Sequence, residues 1–487
     1  MTFDYDVIIL GSGPAGFSCA MQSSKFDKKV LIVEANDDHL GGTWINKGTV
    51  PSKALREAAS SIQKFHEQFG DERGRKPYER FKMDDLLQYK RSILDNKNQK
   101  VKNDLIKNEI ETARGWGRII GKNTVEVKDQ LNNVKTYSAK NILISTGSTF
   151  NKPDVFDVNH SNVLDYESVL DLTHIPRRLV IVGNGIISFE YATIFAALGT
   201  RVTVLSERTD MLPFLDDEIE TEVIKIIKNS TIQLFKNVEI QHVSNNKLRT
   251  CTEVGFKSTK SDSRLQVVET EHVLFIGSTD PNTSNIGLES CGVDLDNEGF
   301  IKVDKTFQSS VDTIYAAGDV IGFPAQASAS FVQGRLAACS MFDKHNHSID
   351  GSTPYAIYSI PEISSIGLTE KDAKNQGIDV TVGRAYYNNI TQADITHANE
   401  GLLKLVFKTD DLKLLGVHII GEQAADLVHL GQSVMSHNGT INYFMEHVLN
   451  YPTFTEAYRI AAFNGINRVY KAGVKYKKIL NRSSDKS

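Results

Sequence analysis

The sequence predicts an α/β protein in which two Rossmann-like βαβ units are followed by an α+β C-terminal part. Three observations predict it. A glycine-rich turn, Gly11-Ser12-Gly13-Pro14-Ala15-Gly16, directly follows the apolar run Val7-Ile8-Ile9-Leu10. A second turn of the same kind, Gly183-Asn184-Gly185-Ile186-Ile187-Ser188, follows Leu179-Val180-Ile181-Val182. From Gly351 onward the pattern changes to a strand pair and two helices, an α+β character. Short unbroken apolar runs read as strands buried on both faces, the state of parallel strands covered by other layers.

Along the chain, a helix is expected after the first turn through Lys25, then a strand Val30-Leu31-Ile32-Val33 closed by Glu34. Pro51 to Glu111 reads as charged helix interrupted near Gly70 to Pro77. Leu86, Leu87, Ile93, Val101, Leu105 and Ile106 recur at helical spacing in its second half. A β-rich stretch spans Trp116 to Val127, and a buried strand Ile142-Leu143-Ile144 stops at Ser145-Thr146-Gly147-Ser148. The second βαβ unit ends in Val202-Thr203-Val204-Leu205, and alternating strands fill about 230–275. A strand Thr313-Ile314-Tyr315-Ala316-Ala317 leads into Gly318-Asp319. The C-terminal part pairs Gly401–Phe407 with Lys413–Ile420 and adds helices over Ala424–His437 and Thr455–Tyr470, before a polar tail after Lys471.

Composition narrows the function classes. A chain of 487 residues corresponds to about three domains, and 40% hydrophobic with 24% charged residues is the balance of an ordinary large core. A net charge of −5 argues against a dedicated nucleic-acid binder. No apolar run approaches the roughly 18 residues a membrane span needs. The start, Met1-Thr2-Phe3-Asp4, enters a strand with no basic segment or cleavage site, so a cytoplasmic protein is expected. Cys19, Cys251, Cys291 and Cys339 form no C-x-x-C pair, so neither a cysteine metal site nor a local redox disulfide is expected, and no metal is.

The chemistry resides in the turns. In the first, Gly11 permits the bend, Gly13 lets backbone approach a pyrophosphate, and Gly16 lets helix pack on sheet, while the helix N-terminus offers free N–H groups. Glu34 stands at the strand end where a carboxylate accepts from ribose hydroxyls. The second turn keeps Gly183 and Gly185 but carries Ser188 in the third place, which leaves a non-binding unit as the alternative. Its second strand ends in Ser206-Glu207-Arg208. An acid there suits the free ribose of NAD and an arginine the 2′-phosphate of NADP, so a site accepting both is expected. A solvated loop is the other reading. Two dinucleotide sites in one chain suggest electron transfer through a bound flavin.

Thr313 to Gly322 resembles the flavin-ribityl motif of flavoproteins with two dinucleotide domains, with Asp319 in the ribityl position, and Ser145-Thr146-Gly147 resembles their crossover motif. From about residue 3 to 470 the chain is similar to the pyridine nucleotide–disulfide oxidoreductase family. The resemblance implies an FAD-binding domain over 1–150 and 276–350, an NAD(P)-binding domain over 151–275, and a C-terminal dimerisation domain over 351–487, giving a homodimer or larger homo-oligomer. It implies that Gly11, Gly13, Gly16, Glu34, Ala35, Gly42, Thr43, Lys53, Thr146, Gly147, Gly318 and Asp319 hold FAD. It assigns Gly183, Gly185, Ser188, Glu190, Ser206, Glu207, Arg208 and Gly277 to NAD(P)(H). Lys53 would lie near flavin N5 and pair with Glu190, these two being the catalytic residues.

Two departures matter. Where most members carry a redox cysteine pair, this chain reads Gly41-Gly42-Thr43-Trp44-Ile45-Asn46-Lys47-Gly48-Thr49-Val50-Pro51-Ser52-Lys53, with Trp44 and Thr49 in the cysteine positions. Neither forms a thiolate. Where the family has a proton-shuttling histidine, it reads Tyr451-Pro452-Thr453-Phe454-Thr455-Glu456. Threonine and tyrosine at these places resemble one branch of the family, the soluble transhydrogenases, as does Tyr358-Ser359-Ile360-Pro361-Glu362. Trp44 would fill the space against the flavin or simply pack into the core. The segment Gly277-Ser278-Thr279-Asp280-Pro281-Asn282 lacks the family's usual glycine–arginine pair. The function implied is FAD-dependent hydride exchange between NADPH and NAD+ in two half-reactions at one nucleotide site. A cysteine-free NAD(P)H:quinone or oxygen diaphorase, and a non-catalytic flavin-binding redox-sensing subunit, are the alternatives.

Overall fold

The strand Tyr5–Leu10 runs through the middle of the first sheet, flanked in parallel by Val30–Glu34 and Val134–Ile144, with Ile8 beside both Leu31 and Ile142. In this computed structural model, residues 2–35, 40–69, 81–150, 162–183, 185–210, 212–246, 251–259, 264–342 and 353–471 are described. The expected helix break near Gly70, Asn184 as the second residue of the second glycine turn, and the tail after Lys471 lie outside the described residues.

Side-chain alternation divides the strand between two cores. Val7 and Ile9 face the helix Pro14–Ser24 through Cys19 and Ala20, whereas Ile8 and Leu10 face Ile119, Val125 and Val127 of the strands Trp116–Gly121 and Thr124–Lys128. Both faces are therefore apolar, which is why the sequence shows an unbroken run. The helix Pro14–Ser24 lies so close on Ala327–Phe342 that a Cβ at Gly334 would come 1.9 Å from the Ala15 carbonyl oxygen. Glu111–Arg114 extends the sheet beside Val30–Glu34, and Ile314–Ala316 pairs in parallel with Val134–Ile144.

The strand Val134–Ile144 is much longer than the three apolar residues that announce it. Its first half leaves the parallel sheet to pair antiparallel with Thr124–Lys128. That half is mostly exposed and polar, so no apolar run marks it.

The second βαβ unit builds an all-parallel sheet in the order Ile232–Lys236, Arg201–Ser206, Arg178–Val182, His272–Phe275, Val163–Leu164. The expected alternating strands form a separate antiparallel sheet, Val238–Asn246, Cys251–Ser258 and Gln266–Thr270. The C-terminal part is an antiparallel sheet, Tyr355–Ile357, Glu362–Gly367, Leu414–Gly421, Leu402–Lys408, Val380–Tyr386, packed by the helices Ala424–Ser436 and Glu456–Lys471. Two Rossmann-like units and an α+β C-terminal domain are thus the architecture.

A buried ion cluster fastens the C-terminal sheet to the second unit. Lys404, 1% exposed, places Nζ 2.9 Å from Asp216 Oδ1, 2.6 Å from Glu218 Oε1 and 2.8 Å from Glu370 Oε2. Arg384 adds a two-pronged contact to Glu218, through Nε and through Nη2 at 2.6 Å. Asp216 also caps the helix Asp217–Asn229 by accepting from the Glu218 N–H at 3.1 Å.

Candidate functional site: two glycine cradles and a three-way junction

At the end of Tyr5–Leu10, Gly11 turns with φ +98°, and a Cβ there would lie 2.4 Å from the Ser145 carbonyl oxygen. A Cβ on Gly16 would lie 2.0 Å from the Gly11 carbonyl oxygen. These two glycines are demanded by the packing itself. Gly13 differs: a Cβ there would meet nothing within 4 Å. The open space lies at the N-terminus of the helix Pro14–Ser24, whose first position is a proline that leaves fewer N–H groups to satisfy.

Glu34 holds this turn as well as ending its strand. One carboxylate oxygen accepts from the Ser12 N–H at 2.9 Å and the Ser12 hydroxyl at 2.6 Å, and that hydroxyl accepts from the Gly41 N–H at 3.0 Å. Gly42, with φ +67°, leans on the turn so that a Cβ would come 2.9 Å from the Gly13 Cα. Thr43 starts the short helix Thr43–Asn46 and is exposed, as is Ala35 just after the strand.

The crossover Thr146-Gly147 faces the same turn, because Ser145 donates its hydroxyl to the Leu10 and Gly11 carbonyls at 2.9 and 3.0 Å. Gly147 has φ +72° and open space beside it. Asn282 fixes the crossover: its side chain donates to the Thr146 carbonyl at 2.9 Å, its carbonyl accepts from Thr146 Oγ1 at 2.8 Å, and its N–H donates to the Gly147 carbonyl at 2.9 Å. Asn282 and Ser12 are absent from the sequence-level candidates. A polar side chain pinned to a distant backbone has no periodic signature. Gly318, at φ +84°, donates its N–H to Gln333 Oε1 at 2.8 Å. Asp319 follows it, its carboxyl pushed above the usual range by burial and partly offset by the Ser330 and Ser148 hydroxyls. Residues from five chain segments, 11–16, 34–43, 145–148, 282 and 318–319, thus come together around the first glycine turn.

The second turn repeats the plan with one change. Gly183 has φ +147°, and Gly185 has open space around its missing Cβ. Ser188 is fully buried in place of a third glycine, and its hydroxyl has no hydrogen-bond partner among the described residues. It sits where a Cβ on Gly183 would be 2.6 Å from it. Serine fits here because Gly183 has no side chain.

The strand end Ser206-Glu207-Arg208 does not present all three groups. The Ser206 hydroxyl is buried, donating to the Arg208 carbonyl at 3.0 Å and accepting from the Arg208 N–H at 3.2 Å. It shapes the bend and is not offered outward. Glu207 and Arg208 are exposed. Gly277 is half-buried, two residues past the strand His272–Phe275.

Lys53 and Glu190 come to the same region without pairing. Among the described residues the ion-pair partners of Lys53 are Glu362 at 2.5 Å and Glu57 at 3.1 Å. The expected Lys53–Glu190 pair is therefore replaced, because Glu362 of the C-terminal sheet reaches the ammonium first. Glu190 accepts the Tyr358 N–H at 2.7 Å, and burial raises its carboxyl to about 7. Lys53 also lies 4.3 Å from the Tyr358 ring centre. Three segments meet here: the helix Thr49–Phe69, the helix Ile186–Ala197 and the stretch Tyr358–Glu362.

No thiol stands at the positions the family's disulfide would take. Trp44 packs edge-on against Phe331 at 5.1 Å, with its indole N–H unpartnered among the described residues, and Thr49 opens the helix Thr49–Phe69. All four cysteines are free, and burial pushes the Cys19 thiol up to about 12. Tyr451 is exposed, its hydroxyl 2.9 Å from Thr391 Oγ1. No group of three or more potential metal ligands occurs among the described residues.

Relatives share this plan along their whole length. A soluble pyridine nucleotide transhydrogenase of Marinomonas sp. (strain MWYL1) is 36% identical over 477 residues, covering 96% of this chain and 100% of that protein. One of Mycobacterium tuberculosis (strain ATCC 25177 / H37Ra) is 38% identical over 468 residues, covering 96% and 98%. Among solved structures, the HOCl-induced flavoprotein disulfide reductase RclA from Escherichia coli superposes with a TM-score of 0.83 at 22% identity, covering 94% of this chain and 99% of that one. The model of the pyridine nucleotide-disulphide oxidoreductases matches residues 5–334, and that of their dimerisation domain matches 353–462. The chain belongs to the pyridine nucleotide-disulphide oxidoreductase family, without the cysteine pair that gives the family half its name.

Proposed function

We propose that this protein is an FAD-dependent oxidoreductase that moves hydride between NADPH and NAD+ without any disulfide. The observation that carries the reading is the pairing of two glycine cradles with a site that has no sulfur. Gly13, Gly147 and Gly185 all leave space that a Cβ would fill, and Asp319 is a half-buried carboxyl whose hydrogen-bond partners among the described residues are the Ser330 and Ser148 hydroxyls. That donor set suits a dinucleotide with a polyol chain. The transhydrogenases among the relatives support the same reading.

FAD would be held by Gly11, Gly13, Gly16, Glu34, Ala35, Gly42, Thr43, Thr146, Gly147, Gly318 and Asp319, within 1–150 and 276–350. The nicotinamide nucleotides would be held by Gly183, Gly185, Ser188, Glu207, Arg208 and Gly277, within 151–275. Residues 351–487 would dimerise, and the cytoplasm is the compartment proposed. Among the described residues no helix is long and apolar enough to cross a membrane. Bound FAD supplies a two-electron carrier that takes hydride from one nicotinamide and gives it to another.

The chain's own residues do the rest. The N-terminus of the helix Pro14–Ser24, behind Gly13, would offer the pyrophosphate first-turn N–H groups that have no partner within the helix. Lys53 holds a cation that favours negative charge arriving on a neighbouring group. Glu190, raised to about 7, keeps its proton below that pH and loses it above, so the charge beside Lys53 changes within the neutral range. No thiolate competes for electrons, because none is present at Trp44 or Thr49.

Anaerobic stopped-flow tests the reading. NADPH alone is expected to bleach the flavin absorbance, and an oxidised NAD+ analogue added next to restore it. Bleaching that only a quinone or oxygen reverses would assign a diaphorase instead. Exposed Arg208 is expected to discriminate between cofactors. Arg208→Ala should raise KM for NADPH by about 10-fold or more, the loss of one charge-assisted hydrogen bond of roughly 1.5–3 kcal/mol, while leaving KM for NADH within about 2-fold. Equal changes for both would remove Arg208 from the 2′-phosphate site.

A further inference from the structure

The stretch Tyr358-Ser359-Ile360-Pro361-Glu362 is gripped by two other parts of the molecule. From one side, Arg56 Nε donates to the Ser359 carbonyl at 3.1 Å, and Lys53 bonds Glu362 Oε1 at 2.5 Å. From the other, Glu190 accepts the Tyr358 N–H at 2.7 Å, and Thr193 Oγ1 accepts the Ile360 N–H at 3.0 Å.

Glu362 is the charged centre of this contact. Its side chain is only 6% exposed. Oε1 is shared between Lys53 Nζ and Arg56 Nη1, the latter at 3.3 Å. Oε2 accepts from the Ala425 N–H at 3.2 Å, in the first turn of the helix Ala424–Ser436. Both oxygens are tied, so the carboxylate cannot follow the lysine; the lysine must come to it. The other partner of Lys53, Glu57, sits on the same helix with its side chain 46% exposed, where water screens it. A desolvated carboxylate exerts the stronger field at equal distance.

We infer that Glu362 is a positioning residue: it fixes the place and the net field of the Lys53 ammonium, and thereby sets how readily the flavin of this site is reduced. The inference rests on the proposed reading, which puts Lys53 beside that flavin. The mechanism is electrostatic. Two-electron reduction adds negative charge to the isoalloxazine, which a nearby cation favours and a nearby anion opposes. Glu362 compensates part of the Lys53 and Arg56 charge. Its neutralisation leaves the cations less compensated, whereas neutralisation of Lys53 leaves the carboxylates in excess.

The two substitutions therefore act with opposite sign, which loss of packing cannot mimic. The midpoint potential of the bound flavin is to be measured by equilibrium reduction against a reference dye, with holoprotein at fixed pH and salt. Glu362→Gln is expected to shift it positive and Lys53→Met to shift it negative. Glu362→Asp keeps the charge but withdraws it by one methylene, so it is expected between wild type and Glu362→Gln. A shifted Lys53→Met beside a Glu362→Gln at the wild-type potential overturns the role of Glu362 alone. Both at the wild-type potential overturns the placement of Lys53 against the flavin and the site reading with it. If Glu362→Gln does not accumulate as holoprotein, Glu362→Asp carries the test, and a wild-type potential there overturns the inference.

Discussion

Gly13→Val is expected to give a folded protein that purifies without flavin. Gly13 has φ −60° and ψ −176°, a conformation open to any L-residue, and a Cβ there meets nothing within 4 Å. The fold therefore has no reason to resist the change. The new methyl groups would instead project into the opening before the helix N-terminus, where the pyrophosphate is proposed to lie. Losing that approach should weaken FAD at least about 100-fold, or roughly 3 kcal/mol. Gly16→Val is the contrasting variant, because its Cβ would lie 2.0 Å from the Gly11 carbonyl oxygen and the helix could not pack. Visible absorbance per protein, together with far-ultraviolet circular dichroism, separates the two. Melting should be compared with flavin-stripped wild type, since a ligand that binds only the native state raises Tm by itself. A Gly13→Val protein that retains stoichiometric flavin would place the prosthetic group elsewhere.

Lys404→Met is expected to cost about 3–5 kcal/mol of stability, the usual penalty for removing one partner of a buried ionic cluster. Three carboxylates, Asp216, Glu218 and Glu370, lose their shared cation. The pH dependence identifies the cause. Burial alone would raise the Glu218 carboxyl, but hydrogen bonds from Arg384 and Lys404 outweigh it and hold it at about 2. A depressed carboxyl stabilises the fold above its unfolded value of about 4.3 and loses that contribution as pH falls toward the folded value. Wild type should therefore lose stability between about pH 5 and pH 2. The variant has less to lose there, so the gap in Tm between the two should narrow from pH 7 to pH 3. A gap that stays constant would mean that packing, not charge, is responsible.

Much of this was legible in the chain itself. Apolar runs located the central strands because both faces of each are buried, and the glycine spacing located both cradles because Gly11 and Gly16 in the first and Gly183 in the second have no room for a side chain. The missing sulfurs were legible by inspection of Trp44 and Thr49. Three things were not. The exposed half of Val134–Ile144 pairs by backbone bonds that need no apolar pattern. The inward turn of Ser206 depends on a bond to its own neighbour's backbone, which a residue list cannot show. The buried partner of Lys53 is Glu362, 309 positions away, where motif reasoning expected Glu190. Helical spacing carries the exposed pair with Glu57, four residues on, but a pair across the molecule is decided by which carboxylate the fold delivers, and neither spacing nor residue type holds that information.

The junction at Tyr358–Glu362 has a practical consequence for anyone dissecting the molecule. Arg56, with its side chain 4% exposed, and Glu190 both find hydrogen-bond partners on a ribbon contributed by the last third of the chain. A fragment ending near residue 342 would contain both nucleotide cradles yet lose these backbone partners and lay bare the apolar residues Leu55, Ala59, Phe189 and Ile194, which share a core with Ile357, Ile363, Leu402 and Ile420. The nucleotide-binding portion thus shares its interior with the last third of the chain, and excising it is expected to expose apolar surface that the whole molecule covers.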